Sequence, residues 1–281
     1  MIKIITDSAS DIVDNTREDL EILPMTIAFG EDEYQDGVNL THRMFYEKLI
    51  ESDVLPVTSQ ITPFAFQQAY KAAKEQGHQV IVITLSSKLS GTWQSANIAA
   101  DGYEDMVRVV DSANAAIGER TLVDYALQLK DAGVSYEEIV ERLEHDKKKI
   151  CLIALLDTLE YLKKGGRISA TVAFAGGLLS IKPVIAIQDG EVVMLGKARG
   201  SKQGNNLLMQ QINAAGGIDF TKPYVLGYTG LNDDILQKYI RDHESVWKDS
   251  VDSLPTGSVG GTIGTHVGPG AIGVAFFAAG E

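Results

Sequence analysis

Cysteine, basic charge and long apolar runs are all scarce in this sequence of 281 residues. The net charge of −13 argues against nucleic acid as the main partner, because phosphate binding needs a basic face. No segment approaches the roughly 18 uncharged apolar residues of a membrane helix, so we expect no stable membrane insertion. With one cysteine, Cys151, and no stretch that resembles a signal peptide, the sequence predicts a reduced, cytoplasmic protein.

Several motifs of nucleotide and metal enzymes are also missing. No Walker-type G-x-x-x-x-G-K-[ST] occurs, and GPGAIG matches G-x-G-x-x-G but stands before an apolar strand rather than before a helix. The five histidines are scattered along the chain. The acidic stretch GEDEYQDG lacks the spacing of a calcium loop and is interpreted as a solvated turn. We therefore expect no metal and no cofactor.

Hydrophobic residues make up 44% of the chain, and in its first half they alternate between strand and helix patterns. QVIVITL is a near-continuous β-branched run, typical of a strand covered on both faces. PFAFQQAYKAAKEQG has helical spacing, with Pro near its start and Gly at its end. Such units predict a parallel sheet flanked by helices, an α/β/α domain over residues 1–154. Residues 25–50 break the rhythm as a hairpin-like acidic insertion followed by a helix.

From about Cys151 the pattern changes to hairpins with helices on one side. KPVIAIQDGEVVMLGKAR predicts two strands around an Asp-Gly turn, and SKQGNNLLMQQINAAGG predicts a helix. We place a smaller α+β domain over residues 155–281, with the boundary near residues 150–156. No Pro/Ser-rich linker separates the halves, so we expect the two domains to pack closely.

The stretch ITLSSKLSGTWQSA, residues 83–96, passes from the end of a strand into a helix. Open parallel sheets bind ligands at such positions, and the free N–H groups of a helix start accept anions. Ser90 adds a hydroxyl there, and Gly91 lets a ligand approach the backbone. A simple N-cap at Ser90 and a loop requirement for Gly91 explain the same residues.

Three further stretches favour a ligand site. PVTSQITP places Thr58 and Ser59 before a helix, and KKGGRIS places Arg167 after two glycines. GTHVGPGAIG places His266 in a Gly/Pro-rich loop ahead of an apolar strand. Each alone is consistent with a cap, a basic helix end or a tight turn. Together they indicate the polar rim of one small anion site.

The same motifs carry a resemblance to a known family. TSQITP, LSSKLSGTWQSA, VVDS, LEYLKKGGRIS, LLSIKPVIAIQDGEV, KARGSK and THVGPGAIGVAFF follow one another as in the DegV family of bacterial fatty-acid-binding proteins. The resemblance runs from about residue 4 to the C-terminus. In the departures, Ile61 and Thr62 replace the commoner Pro-Ser, Trp93 replaces a usual Tyr, and Val267 stands where Thr is frequent. They leave the expected polar contacts in place and concern the pocket wall.

The resemblance implies two domains with one long-chain fatty acid buried between them. It implies that Thr58, the hydroxyl of Ser90 and the backbone N–H of Gly91 hold the carboxylate. His266 and Arg167 would lie near the head group.

Two more residues and a partner follow from the same resemblance. Ser59 belongs to the carboxylate-binding motif, and Arg199 of KARG would line the entrance. Family members present the fatty acid to a separate ATP-binding kinase subunit, which phosphorylates the carboxylate for phospholipid synthesis. The chain would then be a lipid-binding subunit and not an enzyme by itself.

Two alternatives stay open at this point. An acyl hydrolase would use Ser90 and His266 with Asp7 or Asp111, although the sequence has no G-x-S-x-G elbow. A stand-alone lipid carrier or sensor would have the same sequence features, because the kinase would lie on another chain.

Overall fold

A computed structural model describes residues 1–13, 15–168, 181–247 and 254–280. Within these ranges the strands form three sheets of four, six and three strands. The helices are His42–Glu51, Pro63–Glu75, Thr92–Ala99, Ile117–Asp131, Tyr136–Asp146, Glu160–Lys164, Gly200–Ala214, Asp234–Asp242, Glu244–Trp247 and Gly261–Val267, with short 3-10 turns at Ser8–Ser10 and Lys147–Lys149. None of the helices in the described ranges is long and apolar enough to cross a membrane.

The four-stranded sheet is parallel throughout, as the strand–helix alternation predicts. Its order is β2-β1-β6-β7. The strands are β1 (Ile2–Asp7), β2 (Leu20–Leu23), β6 (Gln79–Thr84) and β7 (Val107–Asp111).

Alternate side chains of these strands enter two separate cores, because successive residues of a strand point to opposite faces. Ile4 and Ile81 pack with the helices of residues 117–131 and 136–146. Ile5 and Val82 pack with those of residues 63–75 and 92–99. Both faces are therefore covered by helices, and the predicted α/β/α arrangement is confirmed.

The six-stranded sheet is antiparallel except for one parallel pair, β11 with β12. Its order is β10-β9-β8-β13-β11-β12. The strands are β8 (Ile150–Leu155), β9 (Ile181–Gln188), β10 (Glu191–Arg199), β11 (Tyr224–Tyr228), β12 (Thr256–Ser258) and β13 (Ile272–Phe277). The helices of residues 200–214, 234–242 and 244–247 supply the core on one face.

The hairpin of β9 and β10 turns at Asp189 and Gly190, as the Asp-Gly signal predicts. Both residues have positive φ, 50° and 82°. A two-residue hairpin with this backbone matches the right-handed twist of the flanking strands. The hairpin then lies at the edge of the sheet, with β9 paired to β8.

A small antiparallel sheet is inserted in the sequence between β2 and β6 of the four-stranded sheet. It contains β3 (Thr26–Phe29), β4 (Asp32–Gln35) and β5 (Val57–Ser59), in the order β4-β3-β5. The predicted hairpin insertion is thus confirmed, and a helix follows it. Strand β5 was not predicted, because three residues are too few for a periodic signal.

The predicted domain boundary falls on β8. This strand pairs with β13 and β9 inside the six-stranded sheet. The division into residues 1–154 and 155–281 itself stays a prediction.

Two local predictions are wrong. The first is wrong only at Asp36: most residues of GEDEYQDG are exposed, as a solvated turn requires, whereas Asp36 is only 2% exposed. The second concerns His266, which lies in the helix Gly261–Val267 and not in a loop. Three glycines in GTIGTHVG give a low intrinsic helix propensity, so the sequence itself favours a loop there.

Candidate functional site

A cavity of about 410 Å³ lies between the loops that follow the parallel strands and one face of the six-stranded sheet. This volume falls in the range of roughly 300–1,000 Å³ that is usual for small-molecule sites. Much of the wall is apolar. Its apolar members include Leu152, Ala154, Ile185, Ala186, Ile187 and Ile272. Such a wall suits an alkyl or aromatic ligand.

Six of the seven predicted site residues line this cavity. They are Thr58, Ser59, Ser90, Gly91, Arg167 and His266. The seventh, Arg199, is not among the lining residues: it ends β10, its side chain is exposed, and its backbone N–H donates to Gln203 Oε1 over 3.1 Å. The structure therefore does not bring Arg199 to the wall of the cavity.

His266 faces Thr58 across the cavity rim. Its Nε2 lies 3.0 Å from Thr58 Oγ1. Burial, together with the nearby positive charge of Arg167, lowers the pKa of His266 to about 4. At neutral pH the ring is therefore uncharged. The other ring nitrogen, Nδ1, is buried and has no hydrogen-bond partner among the described residues.

Arg167 is held by backbone carbonyls. Its Nε donates to the carbonyl of Leu89 over 3.2 Å, and its Nη1 donates to the carbonyl of Gly165 over 2.6 Å. Among the residues that the structure describes, no carboxylate forms an ion pair with Arg167. A guanidinium oriented in this way keeps its charge available to an anion.

The loop that precedes the helix Thr92–Ala99 supplies hydroxyl groups next to the start of that helix. Ser90 Oγ lies 3.0 Å from Thr92 Oγ1 and accepts a hydrogen bond from the backbone N–H of Thr92 over 3.3 Å. Gly91 occupies the N-cap position and provides no side-chain cap. The start of this helix, next to the cavity-lining residues Ser90 and Gly91, carries the partial positive charge that favours an anionic group.

Gln60 is a neighbour of Gly91 that the sequence does not reveal. A Cβ atom on Gly91 would clash with the carboxamide of Gln60, so a larger residue at this position would have to displace the Gln60 side chain. The Gln60 Nε2 donates to Ser95 Oγ over 3.0 Å, and Gln60 also lines the cavity. The sequence shows Gln60 as part of TSQITP, but it does not reveal the contact of Gln60 with Gly91, 31 positions further along the chain.

The residues of the hydrolase alternative do not form a triad. The hydrogen-bonded partners of His266 and Ser90 are Thr58 and Thr92, as described above. Asp7 accepts hydrogen bonds from the amides of Ala9 and Leu85. Asp111 likewise accepts from backbone amides, those of Ser87 and Ala113. A serine nucleophile needs contact with its base, and the base needs an acid.

No group of three or more His, Cys, Asp or Glu side chains within the described ranges is arranged to hold a metal ion. GPGAIG, for its part, begins at Gly268, which ends the helix of residues 261–267, and it leads into β13. It therefore does not open a helix as a dinucleotide-binding loop does.

Comparison with known proteins is consistent with these features. A family model described as "Uncharacterised protein, DegV family" matches residues 1–279. A DegV domain-containing protein of Caldanaerobacter subterraneus is 34% identical over 280 residues, which cover 98% of each chain.

Two solved structures share the fold over nearly the whole chain. One is a fatty-acid-binding DegV family protein from Thermus thermophilus, with a TM-score of 0.86, 30% identity and 99% of each chain covered. The other is the Fatty Acid Kinase (Fak) B3 protein of Streptococcus pneumoniae loaded with linoleic acid, with a TM-score of 0.84, 24% identity and 99% of each chain covered. At that identity the second likeness concerns the fold alone.

Proposed function

This chain belongs to the DegV family, and on that premise we propose that it binds one long-chain fatty acid in the cavity. The observation that carries the proposal is the combination of an apolar wall with Thr58, Ser90 and the guanidinium of Arg167, oriented by backbone carbonyls, in one cavity. The fatty-acid-binding relative from Thermus thermophilus supports the same ligand class.

In this proposal the alkyl chain supplies most of the binding free energy. A chain of about 16 carbons buries roughly 0.8 kcal/mol per CH₂, or near 11 kcal/mol before the costs of association. The wall of β8 and β9 receives it, because the side chains on this face of the sheet include Leu152, Ala154 and Ile185.

The carboxylate would lie at the polar rim. A buried charge without hydrogen bonds is very costly, so the head group needs several donors. The hydroxyls of Thr58, Ser59 and Ser90 and the amide of Gly91 are such donors, and His266 and Arg167 lie beside them. Most of these groups are uncharged, so they hold the carboxylate without a tight bidentate ion pair.

We extend the proposal to a kinase partner. A separate ATP-binding subunit would phosphorylate the bound carboxylate, which stays ionised and reachable in a site of neutral donors. This chain would then present the substrate in the cytoplasm and would not catalyse the reaction alone. Adding a purified candidate kinase, ATP and fatty acid tests the extension by consumption of ATP. If binding occurs without consumption by any such partner, the chain is a carrier or sensor.

The binding itself is tested by denaturing mass spectrometry of an organic extract, followed by titration of the delipidated protein with palmitate. We expect a stoichiometric long-chain acid in the extract. Ser90→Ala removes a hydrogen bond to a charged group, worth about 1.5–3 kcal/mol, so affinity should fall about ten- to a hundredfold.

Ser87→Ala is the matched control for Ser90→Ala. Ser87 lies in the same loop, is exposed and is not among the lining residues of the cavity. Its substitution should leave palmitate affinity unchanged. Equal affinity of the Ser90→Ala protein and the unsubstituted protein would contradict the proposed head-group contacts.

A further inference from the structure

The helix that carries His266 is capped by carboxylates from the distant N-terminal part of the chain. Asp36 Oδ1 accepts a hydrogen bond from the amide of Gly261 over 3.1 Å. Asp36 Oδ2 accepts from both the amide and the hydroxyl of Thr262, over 2.9 and 2.6 Å. Asp11 Oδ1 accepts from the amide of Gly260 over 2.7 Å. Three consecutive amides at the start of this helix are thus satisfied by two buried side chains.

Packing holds the same helix against the N-terminal elements. A Cβ on Gly261 would clash with Ile27 and Phe45, and one on Gly264 would clash with Phe45 and the Tyr46 hydroxyl. The helix axis therefore lies as close to these side chains as a backbone can. The hydrogen bonds that Asp36 and Asp11 accept from its first turn therefore limit rotation or sliding of the helix.

The capped end and the ligand-facing end belong to one face of the helix. Thr262 and His266 are four residues apart, a spacing that places both side chains on the same face. Both line the cavity. A carboxylate that fixes Thr262 through its amide and its hydroxyl therefore also fixes the direction in which the His266 ring points toward Thr58.

We propose that Asp36 is a positioning residue for the head-group site, acting through the capped helix on His266. The inference rests on the proposed function for the ligand, but its structural part concerns the lipid-free protein as well. Asp36 does not line the cavity, so it would affect the ligand only through Thr262 and His266. Its carboxylate suits this place, because a negative charge at a helix N-terminus is favourable.

The test compares Asp36→Asn with Asp32→Asn in delipidated protein. Asp32 lies on the same hairpin and is exposed, so its substitution makes the same change of charge without touching the helix. The first readout is the pair of His266 ring C–H signals in NMR spectra, assigned with His266→Gln. We expect Asp36→Asn to shift these signals and Asp32→Asn to leave them unchanged.

The second readout is palmitate affinity in a double-substitution cycle. Because the effect is indirect, we expect Asp36→Asn to weaken affinity about fivefold to tenfold. In a protein that already carries His266→Gln, adding Asp36→Asn should weaken it no further. Unshifted His266 signals, or an equal loss of affinity in both backgrounds, would overturn the assignment.

If Asp36→Asn fails to fold, Thr262→Val provides the same test. It removes the hydroxyl that donates a hydrogen bond to Asp36 Oδ2, and it keeps the backbone and the shape of the side chain. We then expect shifted His266 signals with Thr262→Val and unshifted signals with Thr262→Ser, which retains the hydroxyl. Shifts of equal size in both variants would overturn the assignment. Absence of palmitate binding by the unsubstituted protein would instead reject the proposed function, whereas the NMR readout does not depend on lipid.

Discussion

The two sides of the cavity differ in the kind of atoms they present. The polar side contributes Ser90 and the amide of Gly91 from the loop after β6, and Thr58 from the three-residue strand β5. The side made by the six-stranded sheet contributes Ile185 from β9 and its cross-strand neighbour Ala154 from β8. Strand ends leave hydrogen-bonding groups free, whereas the middle of a sheet uses its backbone groups in pairing and presents only side chains.

This comparison explains how one cavity can hold an amphipathic ligand. The polar side determines where a head group binds, and the apolar side determines how much alkyl chain fits. The helix of residues 261–267 is the exception, since it follows the six-stranded sheet's β12 in the chain but places His266 among the polar residues. The three predictions below test the division between the two sides.

The largest effect is expected from filling the apolar side with Ala154→Trp, because Ala154 lies on β8 beside Ile185 and lines the cavity. An indole that displaces about four methylenes of the ligand removes about 3 kcal/mol, so palmitate affinity should fall more than about a hundredfold. Decanoate, which is shorter, should lose much less affinity. Both are measured by titration of the delipidated protein.

Ala198→Trp is the control for that filling. Ala198 is buried on β10 of the same sheet but is not among the lining residues. It should lower the free energy of unfolding by the roughly 1–3 kcal/mol usual for overpacking, with palmitate affinity retained. Equal loss of palmitate and decanoate binding in Ala154→Trp would mean that this side does not receive the alkyl chain.

A smaller effect is expected from the polar side with Thr58→Val, which keeps the shape of the side chain and removes its hydroxyl. We expect palmitate affinity to fall about tenfold or somewhat more, because one hydrogen bond to a charged group is lost. Thr62→Val is the matched control in the same segment. Thr62 Oγ1 caps the helix Pro63–Glu75 by accepting from the Ala65 amide, so its loss should cost about 1 kcal/mol of stability and leave affinity unchanged.

The smallest effect concerns pH and His266. Its pKa is lowered to about 4 in the folded protein from 6.5, so between these values the unfolded chain binds more protons. The stability that the neutral ring contributes is present above pH 6.5 and is lost as the pH falls toward 4. The ring is only partly buried, so we expect a loss of about 1–2 kcal/mol in the free energy of unfolding by urea.

Comparing the unsubstituted protein with the His266→Gln variant separates this loss of stability from the contributions of other titrating groups. Burial raises the pKa of Asp7 to about 7, and such a group has the opposite sign: its contribution is present below pH 3.8 and is lost as the pH rises through 7. Asp7 is unchanged in both proteins, so the difference between them reports His266. A difference that stays constant from pH 7 to pH 4.5 would mean that the ring is not held neutral.

The sequence alone predicted the fold class, because the patterns that mark strands, helices and turns are local. The β-branched run of β6 and the Asp-Gly turn at 189–190 depend on neighbouring residues, and both elements form as expected. The motifs around Thr58, Ser90, Arg167 and His266 also predicted residues that share one cavity. Arg199 was placed at its entrance by the same resemblance, yet it ends an edge strand and is not among the lining residues.

The failures all involve contacts between distant parts of the chain. GTIGTHVG lacks helix propensity, and it forms a helix whose start is capped by Asp36, 225 residues away in sequence from Gly261. Asp36 in turn lies in an acidic stretch whose composition predicts solvent exposure. Gln60 and Gly91 fit together only because β5 and the loop after β6 meet.

By itself, the sequence determined the types of most elements and the residue types available to an anion and to an alkyl chain. Only the tertiary structure decided which of them face one another, how large the space between them is, and which carboxylates hold the helix of His266. The physical reason is that propensity and periodicity depend on nearby residues, whereas burial, capping and cavity shape depend on how the sheets pack.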